Sequence, residues 1–197
     1  MKMTKAYIKN NGGYSLVELI IVIAIIVIMT GVSFVALSVM HSAKAKEAAS
    51  SFETELAMVS SSAKNKSIDY DMDGNLDKGY SMGLRVYLAS DNKIYVQRCV
   101  VDSTGTMLNV ASTDVYIKSV NVGKGMGTCL SAYVDVIYVD ASGTETKIDS
   151  SHEMYLAFNK KGECTNGYGT YKFLKKNGSK VATVRINKNG SYHVDKE

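Results

Sequence analysis

Four aspartates, Asp69, Asp71, Asp73 and Asp77, crowd around Gly74 in the stretch DYDMDGNLD. They occupy the first, third, fifth and ninth places of a calcium loop, with glycine at the sixth. Alternate carboxylates converge on one hard cation, and glycine permits the sharp turn between them. The closing place needs a bidentate acid and holds Tyr80 instead. The stretch is therefore either a polar loop leaving a helix or a calcium site closed by oxygens from elsewhere. Melting with and without a chelator separates the two. A bound Ca2+ would stiffen a joint and catalyse nothing.

Glu18 is the second candidate, because it interrupts an otherwise apolar run from Leu16 to Met40. An ionised group inside a membrane helix costs about 2.5–3.5 kcal/mol on the insertion scale, so it normally has a partner or a purpose. It either pairs with a cation on a neighbouring helix or reaches the near interface. Three cysteines, Cys99, Cys129 and Cys164, permit at most one internal disulfide, and three pairings or none stay open. Their spacing fits no zinc pattern. His41, His152 and His193 are scattered. No Gly-x-Ser-x-Gly elbow occurs, and Gly123-Lys-Gly-Met-Gly127 lacks the Lys-Ser/Thr ending of a phosphate loop. These absences argue against an enzyme.

The elements that would position these residues are legible in outline. Apolar residues make up 46% of the 197-residue chain and charged ones 21%, enough for a real core. As a helix, Leu16–Met40 reaches about 37 Å, enough to cross a hydrocarbon layer of about 30 Å. Its Ile/Val content would suit a strand in water, but lipid demands internal backbone pairing, so helix prevails. Gly31, beside Thr30, is its weakest point. The basic leader (Lys2, Lys5, Lys9) predicts a cytoplasmic N-terminus. Beyond the run, Ala45, Ala48, Phe52, Leu56, Val59 and Ala63 recur at steps of three and four, with Lys44, Lys46, Glu47, Glu53 and Glu55 mostly off the stripe. From about residue 80 the pattern turns to strands: LRVYLASDNKIYVQRCVV about Ser90-Asp91-Asn92, then LSAYVDVIYVD, MYLAF, GTYKFLK, KVATVRI and a last short one after Asn189-Gly190.

Charge is unevenly spread. Residues 67–156 carry a net −5 and 157–197 a net +6. The tail bears Lys160, Lys161, Lys172, Lys175, Lys176, Lys180, Arg185 and Lys188 among Tyr168, Tyr171, Phe173 and Tyr192. Such a mixture can neutralise phosphates and stack on single-strand bases, or simply form solvated sheet faces.

The order Gly13, Tyr14, a gap, Glu18 and a long apolar run resembles type IV prepilins and the pseudopilins of type II secretion. In that family a prepilin peptidase cuts after the glycine. The resemblance implies cleavage between Gly13 and Tyr14, N-methylation of Tyr14, and assembly through Glu18, paired with the freed amine of a neighbour. Tyr14 departs from the usual phenylalanine, and the chain lacks the proline near which many members bend, leaving Gly31 for any loosening. The implied fold is α+β, a long N-terminal helix packed on an antiparallel sheet head. The implied organisation is a leader (1–13), a transmembrane and assembly helix (14–40), its amphipathic continuation (41–66) and an extracellular head (67–197). The tail, AFNKKGECTNGYGTYKFL and then VATVRINKNGSYHV, is similar to GspH/FimT-type minor pseudopilins. The resemblance thus implies a minor pilin of a type IV pilus or pseudopilus, partnered by other pilins, an assembly platform and an ATPase, with no required cofactor. It would start as a single-pass membrane protein and end in an extracellular filament. The alternatives are a type II secretion pseudopilin and a DNA-uptake pilin that would use Lys172, Lys175, Lys176, Lys180 and Arg185. The closing turn Asn189-Gly190-Ser191-Tyr192 lacks the arginines by which some FimT-type pilins bind DNA.

Overall fold

The computed structural model describes residues 14–65, 68–69, 81–101, 115–117, 120–122, 127–176 and 178–197. One helix, α1 (Leu16–Asn65), is continuous through both its apolar and amphipathic stretches, including Gly31. The absence of proline removes the strongest helix breaker. Contacts divide the chain into two compact units at Val39 and Met40.

In the first unit, the helix carries large apolar side chains from Leu16 to Val39 that are all about half or more exposed. Its hydroxyls are satisfied within the helix: Thr30 Oγ1 donates to the carbonyl of Ile26 (2.8 Å) and Ser33 Oγ to that of Met29 (2.8 Å). A segment of this length and composition can cross a membrane with no unpaired polar group on its surface.

The second unit packs the remainder of α1 against strands. The strands are β1 (Ile68–Asp69), β2 (Ser81–Leu88), β3 (Ile94–Val101), β4 (Val115–Ile117), β5 (Val120–Val122), β6 (Thr128–Ser131) and β7 (Val134–Val139). They continue with β8 (Glu145–Lys147), β9 (Met154–Phe158), β10 (Cys164–Asn166), β11 (Gly169–Lys175), β12 (Lys180–Ile186) and β13 (Tyr192–Lys196). They form two five-stranded sheets, ordered β10-β9-β2-β3-β6 and β13-β12-β11-β7-β8, and a small sheet β1-β4-β5. Among the described residues every pairing is antiparallel.

The helical stripe is the core. Ala45, Ala48, Phe52, Leu56, Val59 and Ala63 are all buried. Phe52 meets Tyr171 and Phe173 of β11 at ring-centroid distances of 5.0 and 5.6 Å. Burying a side chain of that size contributes about 1.5–3 kcal/mol. Glu55 departs from the expectation that it lies off the stripe. It is 7% exposed, and its carboxylate accepts from Arg98 Nε of β3 (2.8 Å) and Thr128 Oγ1 of β6 (2.7 Å). The charge is tolerated there because both oxygens are paired.

The stretch LSAYVDVIYVD reads as one strand but is two. The chain bends at Ala132 and Tyr133, where the Tyr133 amide donates to Ser131 Oγ (3.1 Å), and passes from the first large sheet to the second. Folding also brings part of the basic tail against the acidic middle. Register sets β11 beside β7, with β8 on the far side of β7, so Lys172 pairs with Glu145, and Asp135 lies 3.4 Å from Lys147 and 3.5 Å from Lys176.

Candidate assembly and processing segment

The first described residues build a helix start from their own side chains. Ser15 caps α1: its Oγ accepts from the Glu18 amide (3.2 Å), and Glu18 Oε2 accepts in return from the Ser15 amide (3.0 Å). This reciprocal arrangement is a capping box, and it satisfies two amides that no helical carbonyl reaches. The signal, Ser-x-x-Glu ahead of an apolar run, lies in the sequence. The carboxylate also sits at the positive end of the helix dipole, which favours its charge. Glu18 therefore has a local partner before any neighbour arrives, and its second oxygen can take a donor from another chain. Tyr14, directly ahead of the box, is 86% exposed and open to an enzyme. Gly13 lies outside the described residues.

Among the described residues the other candidates are not gathered into a site. Asp69 belongs to β1, while Asp71, Asp73 and Asp77 lie outside the described residues. Of the basic tail, Lys172 is held by Glu145, Lys176 by Asp135 and Lys180 by Glu197, whereas Arg185 is exposed on β12. Lys175 pairs across the sheet with Val134 at the other end of β11 from the Thr170–Arg185 pair.

All three cysteines are free thiols. Cys129 lies opposite Tyr95, four residues along β3 from Cys99, a separation of about 13 Å that no disulfide spans. Burial pushes the Cys99 and Cys164 thiols up to about 12, while Cys129 is exposed. The thiolate is the nucleophile, so only Cys129 should react quickly with a thiol reagent in the folded chain, and all three after denaturation. No fast-reacting thiol, or fewer than three on unfolding without reductant, would mean that a disulfide has formed.

Sequence reasoning also missed a polar cluster on β2 and its neighbour β9. Arg85 donates from Nε (2.8 Å) and Nη2 (2.6 Å) to Glu153 Oε2 and lies 4.1 Å over the Tyr87 ring. The Tyr155 hydroxyl donates to the same carboxylate, and burial with that charge raises its phenol well above the usual range. The Arg85–Tyr155 pairing that assembles this cluster is a matter of register, invisible in either strand alone.

A long helix whose exposed apolar half begins in a self-made cap, followed by a compact α+β unit, fits a membrane-anchored subunit. Residues 8–34 match the family model described as the prokaryotic N-terminal methylation motif. This prepilin-type N-terminus supports a place among the type IV prepilins and pseudopilins, structural subunits that a prepilin peptidase processes and that assemble with other pilins. No curated protein and no solved structure matches the chain.

Proposed function

We propose that this chain is a minor subunit of a type IV pilus or a related pseudopilus. It is cut between Gly13 and Tyr14, methylated on Tyr14, held in the membrane by Leu16–Met40 with its head outside, and polymerised through the same segment. Glu18 takes the amine of a neighbouring Tyr14 and so sets the axial register of one helix against the next. The observation that carries this reading is the capped, exposed apolar helix directly behind the methylation motif. Its apolar surface is left exposed by the described residues and needs lipid or other helices to cover it. The minor role rests on the likeness of the tail to GspH/FimT-type subunits.

Contact with DNA through the tail is the weaker reading, since three of its five basic candidates already have a carboxylate partner. The test is quantitative mass spectrometry of filaments sheared from the source cells, including the N-terminal peptide. The expected result is a methylated Tyr14 start at low abundance. The same start at high abundance would make the chain a major pilin. A chain that stays in the membrane with its leader attached would sink the prepilin reading altogether.

A further inference from the structure

In the second unit, the described large apolar side chains left exposed are three: Met40 (41%), Met58 (38%) and Tyr133 (47%). Two of these lie at the same end of the unit. The Tyr133 ring, on the bend between β6 and β7, stacks on His41 with centroids 5.1 Å apart and planes 18° apart, and Met40 is the residue before His41. The bend is therefore level with the first residues of this unit. Lysines frame it: Lys175 pairs with Val134, the residue after Tyr133, and Lys176 follows, 3.5 Å from Asp135. On α1, Lys44 comes one turn after His41 and is paired with Glu47 at 2.7 Å.

Chain length fixes what lies at this level. His41 follows Leu16 by 25 residues, about 37 Å of helix. The hydrocarbon layer is about 30 Å thick and the whole bilayer about 40–45 Å, so a helix that enters at Leu16 has its His41 among the headgroups. Tyrosine is enriched in that layer because its ring suits the acyl boundary and its hydroxyl suits water. Lysine joins it there by laying its stem along apolar surface with the ammonium outward. An exposed aromatic and an exposed methionine at one level suit a lipid headgroup layer better than bulk water, with Lys44 and Lys176 close by but already paired with Glu47 and Asp135.

We propose that the Tyr133–His41 lip is a lipid contact, resting in the headgroup layer while the chain waits in the membrane. The contact sets how closely the head sits on the bilayer before the subunit is extracted. This inference rests on the membrane-spanning reading of Leu16–Met40.

The absence of tryptophan makes the test direct, since any tryptophan introduced is the sole one. Three variants of the full chain, Tyr133→Trp, Ile25→Trp and His193→Trp, are reconstituted in vesicles whose lipids carry a quencher either near the headgroup or deep in the acyl chain. Ile25 is in the middle of the span, and His193 pairs with Arg185, at the end of the second large sheet opposite the Val134–Lys175 pair. The proposal expects Tyr133→Trp to be blue-shifted and quenched by the headgroup label several-fold more than His193→Trp. It expects Ile25→Trp to respond to the deep label. Equal, weak quenching of Tyr133→Trp and His193→Trp, with Ile25→Trp still quenched, overturns the lip contact alone. A blue-shifted Tyr133→Trp that no lipid label quenches also overturns it, because protein then covers the site. An unquenched Ile25→Trp removes the membrane span and the proposal with it.

Discussion

Replacing Arg98 by alanine is expected to destabilise the head by about 3 kcal/mol, more than replacing Glu55 by leucine. The asymmetry follows from burial. Glu55 is 7% exposed, so removing Arg98 strands its carboxylate away from water with the Thr128 hydroxyl as its remaining described partner. Removing Glu55 leaves a guanidinium whose side chain is 31% exposed and can turn to solvent. A broken buried pair costs about 3–5 kcal/mol. The partial exposure of Arg98 puts this one at the low end. Glu55→Leu removes the buried charge with the problem and adds apolar contact on the helix, so a loss of about 1 kcal/mol is expected. Denaturant melting of the full chain in detergent, followed by the strand signal in circular dichroism, measures both. If Glu55→Leu proves the costlier change, the pair contributes more attraction than desolvation and the argument fails.

Gly190→Ala should cost about 2–4 kcal/mol, from left-handed backbone strain plus a steric clash. Gly190 has φ of +81°, and an added Cβ would fall 1.8 Å from the carbonyl oxygen of Gly162. That oxygen is backbone and cannot swing away. The collision lies where two turns of different sheets touch: Asn187–Ser191 between β12 and β13, and Asn159–Gly162 between β9 and β10. The Cys164 amide donates to the Lys188 carbonyl (3.0 Å) at the same place. Gly178→Ala supplies the control. Its φ is +84° in the turn between β11 and β12, and an added Cβ would meet nothing within 4 Å. It should lose only the conformational part, about 1–2 kcal/mol. Equal losses from the two variants would mean that the contact between the turns contributes nothing to holding the sheets together.

Both predictions depend on contacts between elements distant in sequence, and these were the contacts that sequence reasoning missed. Glu55 was placed off the helical stripe because its neighbours on the stripe are apolar and it is not. Its partners lie 43 and 73 residues away, and the spacing of helical residues carries no information about them. The capping box differs in kind: Ser15 and Glu18 are three residues apart, and the pattern was readable. The local cap is compatible with a cation from a neighbouring chain, since only one carboxylate oxygen is used in it.

Periodicity, by contrast, was sufficient for much of the rest. A helix facing a core on one side must repeat its apolar residues at three and four, and all six residues of the stripe are buried. The strands β9, β11 and β12 coincide with MYLAF, GTYKFLK and KVATVRI, since turn residues bracket each run. The long apolar run and its Gly-Tyr-x3-Glu heading carry the methylation motif without reference to the head at all. Solvent writes such patterns one residue at a time, as each side chain faces water, lipid or protein.

Tertiary structure decided which surfaces meet. It divided LSAYVDVIYVD between two sheets, paired Lys172 and Lys176 of the basic tail with Glu145 and Asp135 of the acidic middle, and set Tyr133 against His41. Each of these follows from strand register and from the order of strands within a sheet. Those are relations between segments tens of residues apart, fixed by the packing of the whole core and not by the preference of any one segment.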